Sequence, residues 1–228
     1  HNETSTGVTS PVYRVEAPDA LTLVDGTSIA GAAPVDLTQV DAYYFSLQKA
    51  LGSDGGLWVA VLSPAAVERA RHIEDSADGR WVPQFLSLSA AIDNSRKDQT
   101  LNTPALATIV MAERQVRWLL ERGGMDTVSA HCAQASSLIY DWAEANLAAR
   151  PFVDNPAWRS PVTATIEIDE AANASELAAH LRARGIVDIG AYRGVGANQL
   201  RIGTWPSMEM EDVEALLACI DYCLERVL

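Results

Sequence analysis

Residues 21–56, LTLVDGTSIAGAAPVDLTQVDAYYFSLQKALGSDGG, constrain the fold of this chain more than any other stretch. They hold two short apolar runs, 21–25 and 41–46, with the length and content of buried strands. The first ends on a carboxylate, Asp25, and the second leads through Gln48 and Lys49 into a glycine-rich turn, Gly52 to Gly56. Between them, Thr27 to Pro34 is small and rich in Gly and Ala, which lets backbone pass close to a ligand or a neighbouring segment. In α/β sheets, ligands gather at the carboxyl ends of parallel strands. An acid and an amine at neighbouring strand ends suit a pyridoxal phosphate site. The amine links covalently to the aldehyde, and the carboxylate pairs with the ring nitrogen. The same two groups equally serve as solvated strand-end residues, and spacing alone does not choose.

The rest of the chain alternates strand and helix signals. Residues 57–62, LWVAVL, read as a third strand, and Ser63-Pro64 as the cap and first position of a helix to about residue 73. A polar loop over 74–79 and a short helix over 85–92 follow. Thr103-Pro104 repeats the cap-then-proline signature. It opens a helix with Leu106, Ile109, Ala112, Val116 and Leu119 on one face, ending at Gly123-Gly124. A long helix over about 125–148 comes next. Then comes a strand over 162–168 that sets Thr163, Thr165 and Glu167 on one face. Asn173 caps a helix with Glu176 in the reciprocal position and Gly185 closing it. Residues 199–203 form another strand. The last helix, about 210–227, has an apolar stripe through Val213, Leu217, Ile220 and Leu224. The predicted class is α/β, with a large domain over residues 1–122 and a smaller α/β domain over 123–228.

Composition narrows the function. With 228 residues, 48% of them apolar, the chain buries a sizeable core, roughly 70% of its unfolded surface. A net charge of −13 disfavours nucleic acid and anionic membrane as partners. An anionic small substrate is still compatible, since a few convergent arginines make a local positive pocket. No apolar run approaches the roughly 20 residues of a membrane span. Cys219 and Cys223 read as core thiols rather than half a metal site, Cys223 falling in register with Leu216, Ile220 and Val227. His72, His131 and His180 lack metal spacing, so no metal is expected, and His1 receives no role. Reduced thiols point to a cytoplasmic protein.

Five segments carry a resemblance. NETSTGV (2–8), VDGTSIAGAAPVD (24–36), QKALGSDGGLWVAVLSP (48–64), QTLNTP (99–104) and YRGVGANQLRIG (192–203) stand in order and at characteristic spacing. Together they resemble phosphoserine aminotransferases, above all the actinobacterial branch. These are fold-type I pyridoxal phosphate enzymes of the class V aminotransferase group. The resemblance spans essentially the whole chain. It implies part of the family's large domain, a mixed and mostly parallel sheet with flanking helices, followed by the small C-terminal domain. Because the chain opens on His1 inside the NET motif, it is expected to be the C-terminal portion of a longer polypeptide. The family's stacking aromatic, glycine-rich phosphate loop and a further substrate arginine would then precede it.

Residue by residue, the resemblance implies that Lys49 is the covalent lysine and proton carrier, and that Asp25 faces the pyridine nitrogen. Thr4 and Gln48 match cofactor contacts. Asn102 and Thr103 match a pair that reaches across a homodimer interface to the other subunit's cofactor phosphate. Helix N-terminal N–H donors suit an anion there, although a plain helix cap fits the same residues. Arg201 matches the grip on the substrate α-carboxylate. Arg193 matches the arginine for its phosphate or distal carboxylate. Better-known members have His-Arg where this chain has Tyr192-Arg193, which leaves the part of Tyr192 open. The implied activity is transamination between O-phospho-L-serine and 2-oxoglutarate in serine biosynthesis, with a side role in pyridoxine formation. Serine–pyruvate or alanine–glyoxylate aminotransferases share ETSTG-like and QKAL-like patterns, but WVPQFLSL and LNTP fit the phosphoserine family better. A chain inactive by itself is the alternative of another class. Cysteine desulfurase fits less well, since Gln rather than His precedes the lysine.

Overall fold

The computed structural model describes residues 1–76, 81–193 and 198–226. Residues 77–79 of the expected 74–79 loop, the 194–197 segment and Val227 lie outside the described residues. The fold is α/β, built on two three-stranded sheets. The first has β1 (Leu23–Asp25), β2 (Ala42–Ser46) and β3 (Trp58–Leu62) in that order. β1 and β2 run parallel with Asp25 opposite Tyr44, so both chains leave the sheet at the same end. β3 returns antiparallel, Ala42 facing Leu62.

α1 (Pro64–Asp75) starts as its sequence dictates: the Ser63 hydroxyl accepts from the Ala66 N–H and Pro64 sits in the first turn. α2 (Leu88–Ser95) begins three residues later than expected. Gln84–Leu86 form a separate 3-10 turn, and Ser87 is the true cap, its hydroxyl accepting from the Ala90 N–H at 3.0 Å. α3 (Leu106–Glu121) likewise starts beyond Thr103-Pro104, with Ala105 as a cap that makes no side-chain bond. A proline keeps the residue before it extended. Here that effect ends the connection instead of opening the helix. The expected α3 core stripe is also only partly buried: Leu119 is 7% exposed, but Leu106, Ile109 and Val116 stand in solvent.

α4 (Gly124–Ala145) crosses from one half of the chain to the other. Val128 and Cys132 pack with Leu47, Leu51 and Leu119, while Ile139 and Ala143 enter the main core. The second sheet holds β4 (Ala149–Pro151), absent from the sequence reading, then β5 (Thr163–Ile168) and β6 (Gln199–Gly203), all antiparallel. α5 (Ala174–Arg182) and α6 (Met210–Arg226) cover one face through Leu177, Leu181, Val213, Leu217 and Ile220. Asn173 caps α5 by accepting from the Ser175 and Glu176 N–H groups. The other face of β5, read as polar, is buried too: Thr163 and Thr165 are 6% and 2% exposed. The N-terminal segment lies over it. Gly7, at φ +86°, comes so close that a Cβ there would meet Thr163 O at 2.7 Å.

Candidate active site

The two loops leaving the parallel pair β1 and β2 pack against each other. Ile29 and Ala32 from the first share a buried cluster with Leu47, Ala50 and Leu51 from the second. Gly31 makes that approach possible: it sits at φ +93°, and a Cβ would lie 2.6 Å from the Leu51 side chain. In the second loop burial alternates, so that Leu47 and Ala50 point inward while Gln48 and Lys49 are exposed. Gly52 N–H donates to Lys49 O at 2.8 Å, and Ser53 N–H to Leu47 O at 2.9 Å. The Ser53 hydroxyl fastens the turn to α3 through Thr108 O at 2.7 Å. Among the described residues no hydrogen bond or ion pair holds the Lys49 amine.

Hydrogen bonds hold Asp25 through one oxygen. Its Oδ1 accepts from the Thr27 N–H at 2.9 Å and the Thr27 hydroxyl at 2.5 Å. Its Oδ2 has the His1 imidazole at 3.3 Å. Asn2 N–H donates to Asp25 O at 2.9 Å, joining the NET segment to the strand end. That segment is a tight hairpin: Thr4 N–H donates to Val8 O, Gly7 N–H to Thr4 O, and the Thr4 and Thr6 hydroxyls lie 2.9 Å apart.

Glu3, which sequence reasoning passed over, is the best-buried carboxylate beside this cluster, 6% exposed. Its Oε2 accepts from the Ser28 hydroxyl, tying the NET segment to the Asp25 loop. Burial raises its pKa, against the opposing pull of hydrogen bonds from Ser28 and of the Lys49 charge. Glu3 Oε1, the Thr165 hydroxyl, the Tyr43 hydroxyl and the Ser46 hydroxyl are all buried without a partner. Burial, with Asp25's negative charge adding to it, pushes the Tyr43 phenol up to about 12. Unpaired buried polar atoms are costly, and the Tyr43 hydroxyl, packed against Gly26 beside Asp25, is one that a polar occupant would satisfy.

Arg201 reaches the same cluster from the second sheet. It stands opposite Thr165 on β6, and its Nη1 donates to Ser5 O at 3.2 Å. Its guanidinium carbon lies 5.1 Å from the Tyr192 ring centroid. Arg193 is exposed in the turn after Tyr192. Asn102 and Thr103 stand apart, exposed along a separate cleft with Trp58, Phe85 and Leu88. Thus the segments that carry Asp25, Lys49, Thr4 and Arg201 touch one another, whereas Asn102 and Thr103 line a separate cleft. Glu3 left little signal in the sequence, since the side chains around it, Ser28, Ser160 and Thr163, are distant along the chain.

The class V aminotransferase model matches residues 1–216. A putative phosphoserine aminotransferase of Mycolicibacterium vanbaalenii is 52% identical over the whole chain, and the phosphoserine aminotransferase of Rhodococcus jostii is 49% identical. The chain spans 61% of the length of each. The crystal structure of a phosphoserine aminotransferase from Cytophaga hutchinsonii superposes with a TM-score of 0.87 at 25% identity, covering 100% of this chain and 62% of that one. The match over nearly the whole length, on a fold that brings the expected acid and amine loops together, places the chain in the class V aminotransferase family.

Proposed function

We propose that this chain carries the lysine, the aspartate and the carboxylate-binding arginine of a pyridoxal phosphate-dependent phosphoserine aminotransferase. The observation that carries this reading is the mutual packing of the Asp25 and Lys49 loops at one end of parallel β1 and β2. The unpartnered Tyr43 hydroxyl beside Asp25 favours a polar cofactor. When bound, pyridoxal phosphate supplies an aldehyde that accepts an amino group and a ring that accepts electrons from the substrate's Cα.

The protein's own residues supply the remainder. Lys49 would hold the cofactor covalently through its amine; once freed by substrate, that amine would serve as the base that takes the Cα proton and the acid that gives it back. Asp25, anchored through Oδ1 by Thr27, would pair with the ring nitrogen and favour its protonated form. Thr4 and Gln48 contact the cofactor. Arg201 grips the α-carboxylate of each substrate with a planar fork, and Arg193 takes the phosphate or distal carboxylate. The amino group thereby passes from O-phospho-L-serine to 2-oxoglutarate, giving 3-phosphohydroxypyruvate and glutamate.

The working unit in this reading is a cytoplasmic homodimer, with residues 1–122 belonging to the large domain and 123–228 forming the small one. Asn102 and Thr103 then serve the other subunit's cofactor phosphate. Their separation from Asp25 and Lys49 supports an action in trans, and so do the exposed apolar side chains of α3 beside them, Leu106 and Val110 among them. Steady-state rates of the full-length, cofactor-loaded enzyme with phosphoserine, serine and alanine test the assignment. Phosphoserine is expected to give the highest kcat/KM. Preference for an unphosphorylated donor would overturn it in favour of a serine–pyruvate or alanine–glyoxylate type.

A further inference from the structure

Arg201 is held from two sides by segments far apart in sequence. Its backbone N–H donates to Ile189 O at 2.9 Å, which fixes where the side chain leaves β6. Its Nη1 donates to Ser5 O at 3.2 Å, and the Tyr192 ring lies 5.1 Å from its Cζ. A guanidinium carries five N–H donors in one plane, and an aromatic face engages that plane without consuming any of them. One donor goes to Ser5, and among the described residues no other partner takes the rest. A long side chain that would otherwise sample many rotamers is thus confined in both swing and tilt.

We propose that Tyr192 is a positioning residue for carboxylate recognition: its ring holds the Arg201 fork at the angle that meets the α-carboxylate shared by amino-acid and keto-acid substrates. The inference rests on the reading of Arg201 as the carboxylate-binding arginine. The face of the ring is the part that matters, and the phenol hydroxyl is dispensable.

The test uses the full-length, cofactor-loaded enzyme with Tyr192→Leu, Tyr192→Phe and Arg201→Lys. Two readouts are taken: the split between KM and kcat for both substrates, and the calorimetric affinity for glutarate, a dicarboxylate that cannot transaminate. Tyr192→Leu is expected to raise both KM values and weaken glutarate by about 2- to 5-fold while kcat holds. Tyr192→Phe is expected to match the unaltered enzyme, and Arg201→Lys to weaken glutarate by at least about tenfold. If Arg201→Lys weakens glutarate and Tyr192→Leu does not, the positioning role is wrong and the arginine's role stands. A phenylalanine variant as impaired as the leucine one also overturns it, because the hydroxyl would then be responsible. If Arg201→Lys leaves glutarate binding intact, the carboxylate assignment fails and the proposal fails with it.

Discussion

Asp25 and Lys49 differ in how firmly the protein holds them. Thr27 pins the aspartate through one oxygen, whereas the lysine amine has no protein partner among the described residues. That contrast suits a fixed carboxylate and an amine that must move. Asp25→Asn keeps the shape and removes the charge, so kcat is expected to drop on the order of a hundredfold or more, with cofactor still bound. Burial shifts the Glu3 pKa upward. Its folded pKa lies above the ordinary 4.5, so its contribution to stability is full below that pH and is lost as the pH rises through the raised value. Glu3→Gln is therefore expected to flatten the decline in Tm between pH 4.5 and neutrality. Asp41 works the other way. Hydrogen bonds from Arg14, then from the Thr22 N–H, hold its pKa below the ordinary 3.8. The stability lost in Asp41→Asn should be evident at neutral pH and should close as the pH falls below 3.8.

At the scale of single elements, local signals were readable where a side chain does its own capping. Ser63-Pro64 and Asn173 set their helices as their sequence says. Thr103-Pro104 carries the same signature, yet α3 starts only at Leu106. Ser87 caps α2, and the residues before it, Gln84–Leu86, form a 3-10 turn that helical pattern does not separate from the helix. β4 is three residues long and owes its existence to pairing with β5, which no local pattern announces. Both strands of the site were legible from their apolar runs. The roles of Asp25, Lys49 and Arg201 came from family motifs rather than from periodicity. Glu3 stayed hidden because an acid beside Asn and Thr reads as surface until Ser28, Ser160 and Thr163 are brought around it. Gly31 shows how an element depends on one backbone angle. Gly31→Ala is expected to cost about 1–3 kcal/mol in denaturant unfolding, from positive φ and collision with Leu51.

The molecule as a whole joins two sheets through α4 and through an N-terminal hairpin that touches both. Residues 2–10 reach Asp25 at one end and Trp158 at the other, which puts Arg201 within reach of the NET motif. The main core lies around β5 and β6, where Ile139 is fully buried; Ile139→Ala is expected to lose about 2–5 kcal/mol. Function in this account depends on the two halves keeping their register, so that the loops of the first sheet and the arginine of the second face one ligand. Borohydride reduction of the full-length, cofactor-loaded enzyme, followed by peptide mass mapping, tests that arrangement at its centre. The account predicts a pyridoxyl adduct on Lys49 and its disappearance in Lys49→Ala. An adduct on another lysine, or one that survives the substitution, would contradict it.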